Sequence, residues 1–234
     1  MNKAFSLRSI LFISMLLFLT PVQANDIYIQ QSGNNLDLDI TQDGNNNVAG
    51  TSSTGITLTG NSMTFNIDQI GGANVVSAVV KGVTYTGNID LTGNSNDVAL
   101  LCDSAGAGNC DTVSLSIDVT GSSADINVNI GEGADAESFT GTIDVTSAAD
   151  ETITLTANGK SAIADIDVSN SSGSAGNSAT YTQTGDGDTN GHTLTHSHTG
   201  DAGLTVISQS GVYDNIINLT TSGDNAAINI TQSD

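Results

Sequence analysis

Beyond residue 24 the chain alternates apolar and polar side chains in short runs, with turn-forming residues between them. Leu36-Asp37-Leu38-Asp39-Ile40, Met63-Thr64-Phe65-Asn66-Ile67, Val113 to Val119, Ile126 to Ile130, Ile163 to Val168 and Ala226 to Ile230 all keep this pattern. A period of two belongs to strands with one buried face. No stretch places apolar residues at the helical spacing for three turns, so no helix is predicted in this part of the chain. The Gly, Asn, Ser and Asp clusters between runs supply tight-turn chemistry. Connections this short leave no room for helical crossovers.

The turns are periodic as well. Gly33, Gly44 and Gly55 are 11 apart, and Gly60, Gly71, Gly82 and Gly93 form a second 11-residue series. Apolar residues follow five and seven positions after the phasing glycines, as in Leu38 and Ile40, Phe65 and Ile67, and Ile228 and Ile230. A Gln often follows at nine: Gln42, Gln69, Gln209 and Gln232. A unit this short cannot bury its apolar face alone and must stack on its neighbours. The expected fold is all-β, a β-solenoid of strand-turn-strand repeats with about 22 residues per coil. Nine or ten such coils, about 4.8 Å apart, would make a rod of about 45 Å. Residues 25–234 are read as one solenoid domain, clearest at 26–100 and 181–234 and degenerate between.

Composition narrows the function. Lys3 and Arg8 precede an apolar run from Ile10 to Leu19, and Val22-Gln23-Ala24 has small residues at a cleavage position, so residues 1–24 read as a secretory signal peptide. Removing two basic residues from a net charge of −21 leaves −23, with only Lys81 and Lys160 basic. Such a chain cannot neutralise a phosphate backbone, which excludes nucleic-acid binding. No later apolar run approaches the length of a membrane-spanning helix. Six aromatics (Tyr28, Phe65, Tyr85, Phe139, Tyr181 and Tyr213) are few for the remaining length, so the core is thin and aliphatic.

Five sites carry the motif Q-x-G in a recurring frame. Gln42-Asp43-Gly44-Asn45-Asn46-Asn47-Val48-Ala49 gives Q-x-G-x-x-N-x-A, and Gln69-Ile70-Gly71-Gly72-Ala73-Asn74 gives Q-x-G-x-x-N. Gln31-Ser32-Gly33, Gln183-Thr184-Gly185 and Gln209-Ser210-Gly211 keep the first three positions. These segments resemble the curlin repeat family of curli amyloid fibre subunits. The resemblance implies an exported subunit, delivered through the periplasm by outer-membrane export machinery, that self-associates or joins other curli-like subunits in extracellular fibres. Such fibres serve biofilm formation and surface adhesion. It also implies that Gln31, Gln42, Asn47, Gln69, Asn74, Gln183, Gln209 and Gln232 form stacked amide ladders. In-register amides donate and accept along the stacking axis, which agrees physically. The degenerate middle, the two cysteines and the acidity depart from the family pattern and point to a diverged minor, nucleating or holdfast-type relative.

The remaining chemistry is sparse. Cys102 and Cys110 are the only cysteines, and in an exported chain they are expected to form a disulfide around a Gly-rich loop. Asp186-Gly187-Asp188-Thr189-Asn190-Gly191 matches the opening of a calcium loop, but Ser197 stands where the bidentate Glu belongs. His192, His196 and His198 lie at even offsets, so one strand face presents all three, either as exposed polar side chains or as a Zn²⁺ site. Asp186, Asp188, Asn190 and these histidines are the only metal-ligand candidates.

Apolar-Asp-apolar triplets recur at Asp37, Asp90, Asp118, Asp144 and Asp167, and alternation sends these carboxylates outward. Stacked neighbours would repel by roughly 0.9 kcal/mol in water-like dielectric. No cofactor is required, and Ca²⁺ is the one ion this pattern invites. No enzyme signature is present, so the chain is read as a structural protein rather than an enzyme. The alternative is a monomeric calcium-dependent adhesin or binding module on the same solenoid.

Overall fold

In the computed structural model, residues 25–50, 55–102, 110–131, 137–147, 150–158, 161–170, 177–184, 192–200 and 203–233 are described. They form fifteen strands and no helix. Residues 1–24, read from the sequence as a signal peptide, residues 103–109 and the candidate ligands Asp186, Asp188 and Asn190 lie outside this set.

The strands are β1 (Asn25–Ile27), β2 (Gln30–Ser32), β3 (Asp37–Ala49), β4 (Ile56–Thr59), β5 (Met63–Lys81), β6 (Thr84–Cys102), β7 (Thr112–Ile130) and β8 (Ser138–Ser147). They continue with β9 (Glu151–Asn158), β10 (Ala162–Asn170), β11 (Asn177–Thr184), β12 (Thr193–Thr199), β13 (Gly203–Ser210), β14 (Ile216–Ser222) and β15 (Ala227–Ser233). All pairings are parallel and in register, as a coil stacked on itself requires. The long strands β3, β5, β6 and β7 each bend at a corner where one residue leaves the register, so that each serves both faces of the coil.

One face is traced by the column Asp37, Thr64, Thr86, Ser114, Thr140, Ile163, Thr193 and Ile216. The other is traced by Gln31, Leu58, Val80, Cys102, Ile130, Ala157, Gln183, Gln209 and Gln232. The chain therefore makes about seven turns of a β-solenoid, not the nine or ten expected from a strict period. The reason is insertion. Thr64 pairs Thr86 after 22 residues, whereas Thr86 pairs Ser114 after 28 and Ile163 pairs Thr193 after 30. The extra residues sit between strands, so the register survives them.

Alternation does what the sequence pattern asks. Ile67, Ile89, Ile117, Ile143 and Ile166 stack as one buried column on the first face. Ile56, Ala78, Leu100, Val128, Leu155, Tyr181 and Ile207 form a facing column on the second. Identical aliphatics stacked at strand spacing fill a narrow interior without large rings. Where Phe65 and Tyr85 do enter, at 5.0 Å centroid separation, Gly87 leaves the room their rings occupy.

Candidate functional site: amide ladders, an acidic column and two open ends

The corner of the N-terminal coils is built from amides. Asn47, Asn74 and Asn96 occupy one register column, all buried. The Asn47 amide donates to Asn74 Oδ1 at 3.3 Å, and Asn74 donates to Asn96 Oδ1 at 2.9 Å. Each also reaches a corner carbonyl, Asn47 to Ile70 O at 2.9 Å and Asn74 to Thr92 O at 3.0 Å. These bonds satisfy backbone acceptors that the bend frees from the strand ladder. Beside them, Gln69 Nε2 donates to Gln42 Oε1 at 2.6 Å.

A second glutamine ladder runs on the opposite face at the C-terminal end. Gln209 Nε2 donates to Gln183 Oε1 at 2.8 Å, and Gln232 Nε2 donates to Gln209 Oε1 at 3.3 Å. Seven of the eight residues assigned to ladders from the sequence thus take part in amide-to-amide bonds. Gln31 does not. Its register partner is Leu58, and it lies exposed on the terminal rung of the described residues. Asn96 is a member that motif reading missed, because Leu91 replaces the motif's Gln. The surviving spacing Gly93-x-x-Asn96 repeats that of Gly44-x-x-Asn47 and was the available signal.

Outward, Asp68, Asp90, Asp118, Asp144 and Asp167 form one unbroken column of exposed carboxylates. Four of these are the predicted triplet residues. Asp37 is not among them, because it pairs with Thr64. Partial desolvation first, then the adjoining carboxylates, raise Asp90, Asp118 and Asp144 above the ordinary aspartate range.

The three histidines are buried, contrary to the expectation of an exposed polar face. They share their parity with the core residue Leu194, which turns them inward. His196 Nδ1 lies 2.9 Å from Ile166 O, and a carbonyl only accepts, so Nδ1 carries the proton. The Thr205 hydroxyl then donates to Nε2 at 3.4 Å. His192 Nδ1 faces Asn215 Oδ1 at 2.9 Å. Among the described residues, no three His, Cys, Asp or Glu side chains converge as a metal site. Near the same end, Glu151 and His198 line a small internal cavity with Asn177, and both Glu151 oxygens are buried without a hydrogen-bond donor in bonding geometry.

Cys102 and Cys110 form a disulfide with Cα atoms 6.1 Å apart, and both are buried.

Among the described residues the inner faces are open at the two ends. Ile228 and Ile230 in β15 are 40% and 49% exposed, whereas Ile207, the register partner of Ile230, is 1% exposed. The same strands carry unpaired edge N–H and C=O groups on their outer side, which template further strands.

Comparison with curated proteins and with solved structures finds no match. Residues 33–71 match the family described as the curlin associated repeat. That segment runs from the first Gly turn to the Gly71 corner and includes both Gln42 and Gln69, so the match falls in the part of the solenoid where the glutamine and asparagine ladders begin.

Proposed function

We propose that the chain is an exported structural subunit, or accessory subunit, of extracellular curli-like β fibres serving biofilm formation and surface adhesion. Its partners are further copies of itself and other curli-like subunits, delivered by an outer-membrane export system. The observation that carries this reading is the open C-terminal rung. Ile228 and Ile230 continue columns that are buried on the rungs between the two ends, and Gln232 ends an amide ladder with its face uncovered. Burying such a rung under another chain removes apolar surface from water and pairs a full strand edge at once. The curlin repeat at 33–71 supports the same reading.

Incubating the purified chain and imaging it tests the proposal. Fibres with a 4.7–4.8 Å repeat along their axis are expected. A chain that stays a monodisperse monomer and gains stability only with Ca²⁺ would sink the fibre reading in favour of the adhesin.

A further inference from the structure

The ends of the solenoid differ in a way that dictates how one copy meets the next. Among the described residues the second face has one more rung than the first, since β1 and β2 form its rung at one end and β15 its rung at the other. Suppose a second copy stacks face to like face. Its β2 then lies on β15, but its β3 lies two rises, about 10 Å, from β14. One rung is missing there, and two strand edges face each other unpaired.

A half-turn of the second copy about the solenoid axis removes the gap. The two faces run in opposite directions on opposite sides, so the rotation exchanges them while keeping every strand parallel. Now β1 and β2 of the next copy lie on β14, and the first half of its β3 lies on β15. Both faces close with single strand spacings.

The residues match this arrangement. Ser32-Gly33-Asn34-Asn35-Leu36-Asp37-Leu38-Asp39-Ile40-Thr41-Gln42 at one end aligns with Ser222-Gly223-Asp224-Asn225-Ala226-Ala227-Ile228-Asn229-Ile230-Thr231-Gln232 at the other, with Ser, Gly, Asn, Ile, Thr and Gln identical. The turns agree in backbone as well. Gly33 and Asn35 have φ of 149° and 60°, and Gly223 and Asn225 have 145° and 62°. Turns of this type stack within the chain, where Asn35 N donates to Asn61 O at 2.9 Å below the Gly60 turn.

We propose that successive copies add head to tail with a half-turn at each junction, Gln42 of the next copy seating on Gln232. This inference rests on the fibre reading above. The junction fuses the two glutamine ladders, which lie on opposite faces within one chain, into a single run: Gln183, Gln209, Gln232, then Gln42 and Gln69 of the next copy. Leu38 and Ile40 of that copy cover Ile228 and Ile230. The complementary surface is therefore a second copy of this chain, recognised by in-register apolar and amide stacking rather than by charge.

Cross-linking distinguishes the two junctions. Thr231, Thr41 and Gln30 are exposed, and among the described residues no native cysteine is free to compete. In the half-turn junction Thr231 is one rise from Thr41 of the next copy, a Cα spacing of about 4.8 Å that a disulfide spans. In the unrotated junction it is one rise from Gln30. Fibres grown from an equal mixture of T231C and T41C chains are expected to yield mostly disulfide-linked dimers on oxidation. A T231C and Q30C mixture should stay at the level of T231C alone. Cross-linking of T231C to Q30C instead, or fibres that cross-link in neither mixture, would overturn the half-turn and leave the fibre reading standing. Failure of the unsubstituted chain to form fibres would remove both.

Discussion

Asn96 and Gly121 share one space: the Asn96 amide nitrogen lies 2.5 Å from where a β-carbon on Gly121 would stand. The relationship repeats down the corner, with Asn74 at 2.6 Å from the same point on Gly93 and Asn47 at 2.8 Å on Gly71. It stops where both partners change together: Ala124 follows Asn96 in its column, and Ser147 follows Gly121. Amide and glycine are thus one device, in which the side chain of one coil fills the place a β-carbon of the next would need.

Gly121→Ala therefore destabilises the solenoid, because the Gly93 carbonyl also crowds that point and backbone cannot swing aside. A loss of about 2–3 kcal/mol is expected from urea unfolding. Asn96→Ala in the same protein restores little. A double variant as stable as wild type would show that only the amide was in the way.

The C-terminal glutamine ladder predicts a different signature. Gln209 donates to Gln183 and accepts from Gln232, so Gln209→Leu orphans the buried Gln183 acceptor, while the exposed Gln232 amide keeps its bond to Asn215 O. A cost of about 1–3 kcal/mol is expected, despite the gain in apolar character. Gln209→Asn, too short to span one strand spacing to both neighbours, should recover only part of it. Equal stability of the Leu variant would mean that the ladder contributes no net hydrogen-bond energy.

Much of this was legible in the sequence, for a reason the ladders make plain. Parallel in-register stacking repeats the same environment once per coil, so Gln42 and Gln69, or Ile67 and Ile89, recur at one phase and expose the fold. What stayed hidden depended on which face a phase belongs to. His192, His196 and His198 alternate with Thr193, Thr195 and Ser197, and polar residues on both sides carry no inside–outside signal. Only Leu194, sharing their parity, pointed inward. Asp68 was missed from the acidic column because Gln69, a ladder residue, breaks its apolar flank. The coil count failed because insertions lengthen turns without touching register.

The acidic column makes stability depend on pH in an unusual direction. Asp90, Asp118 and Asp144 have carboxyl groups raised above the usual value by desolvation and then by their stacked neighbours. A group whose folded pKa is raised binds its proton more tightly in the native state. These three therefore add stability as pH falls from just above the ordinary aspartate range down through it. Asp118→Asn, at the centre of the column, should stabilise the chain at pH 7 and low salt by less than about 1 kcal/mol. NaCl or Ca²⁺ should raise the unfolding midpoint of wild type more than that of the variant. Equal responses would mean the carboxylates do not feel one another.

His196 works in the opposite sense. Burial is the main cause that lowers its pKa, and the nearby His198 adds to it, against the pull of the Ile166 carbonyl. The ring is held neutral in the fold, so its contribution is present above the ordinary histidine range and declines as pH falls below about 6.5. Wild type should lose stability between pH 7 and 5, before the carboxylates begin to restore it. His196→Gln, which cannot titrate, should show a shallower first decline, the remainder coming from His198, whose pKa burial also lowers. A variant with the same slope as wild type would assign the decline elsewhere.

Glu151 stands in the corner column one rung beyond Ala124, two beyond Asn96, and shares its cavity with Asn177. Every other long side chain at this phase is an amide. Burial raises its carboxyl above the ordinary glutamate range and the Asp150 charge adds to this, while the Ser147 hydroxyl and its own backbone amide offset only part. The charged form is thus the costly one at neutral pH. Glu151→Gln removes the charge, keeps the length and adds an N–H group that the carboxylate lacks. It should stabilise the chain by about 1–2 kcal/mol at pH 7. The sign of the linkage sets how that gain varies: a raised folded pKa means wild type recovers stability as pH falls through it, so the advantage of the variant should shrink toward zero near pH 4. Unfolding curves at pH 7, 5.5 and 4 decide the matter. A variant less stable than wild type at pH 7 would mean that the carboxylate has a bound cation or donor at the cavity, and that its burial there serves binding rather than packing.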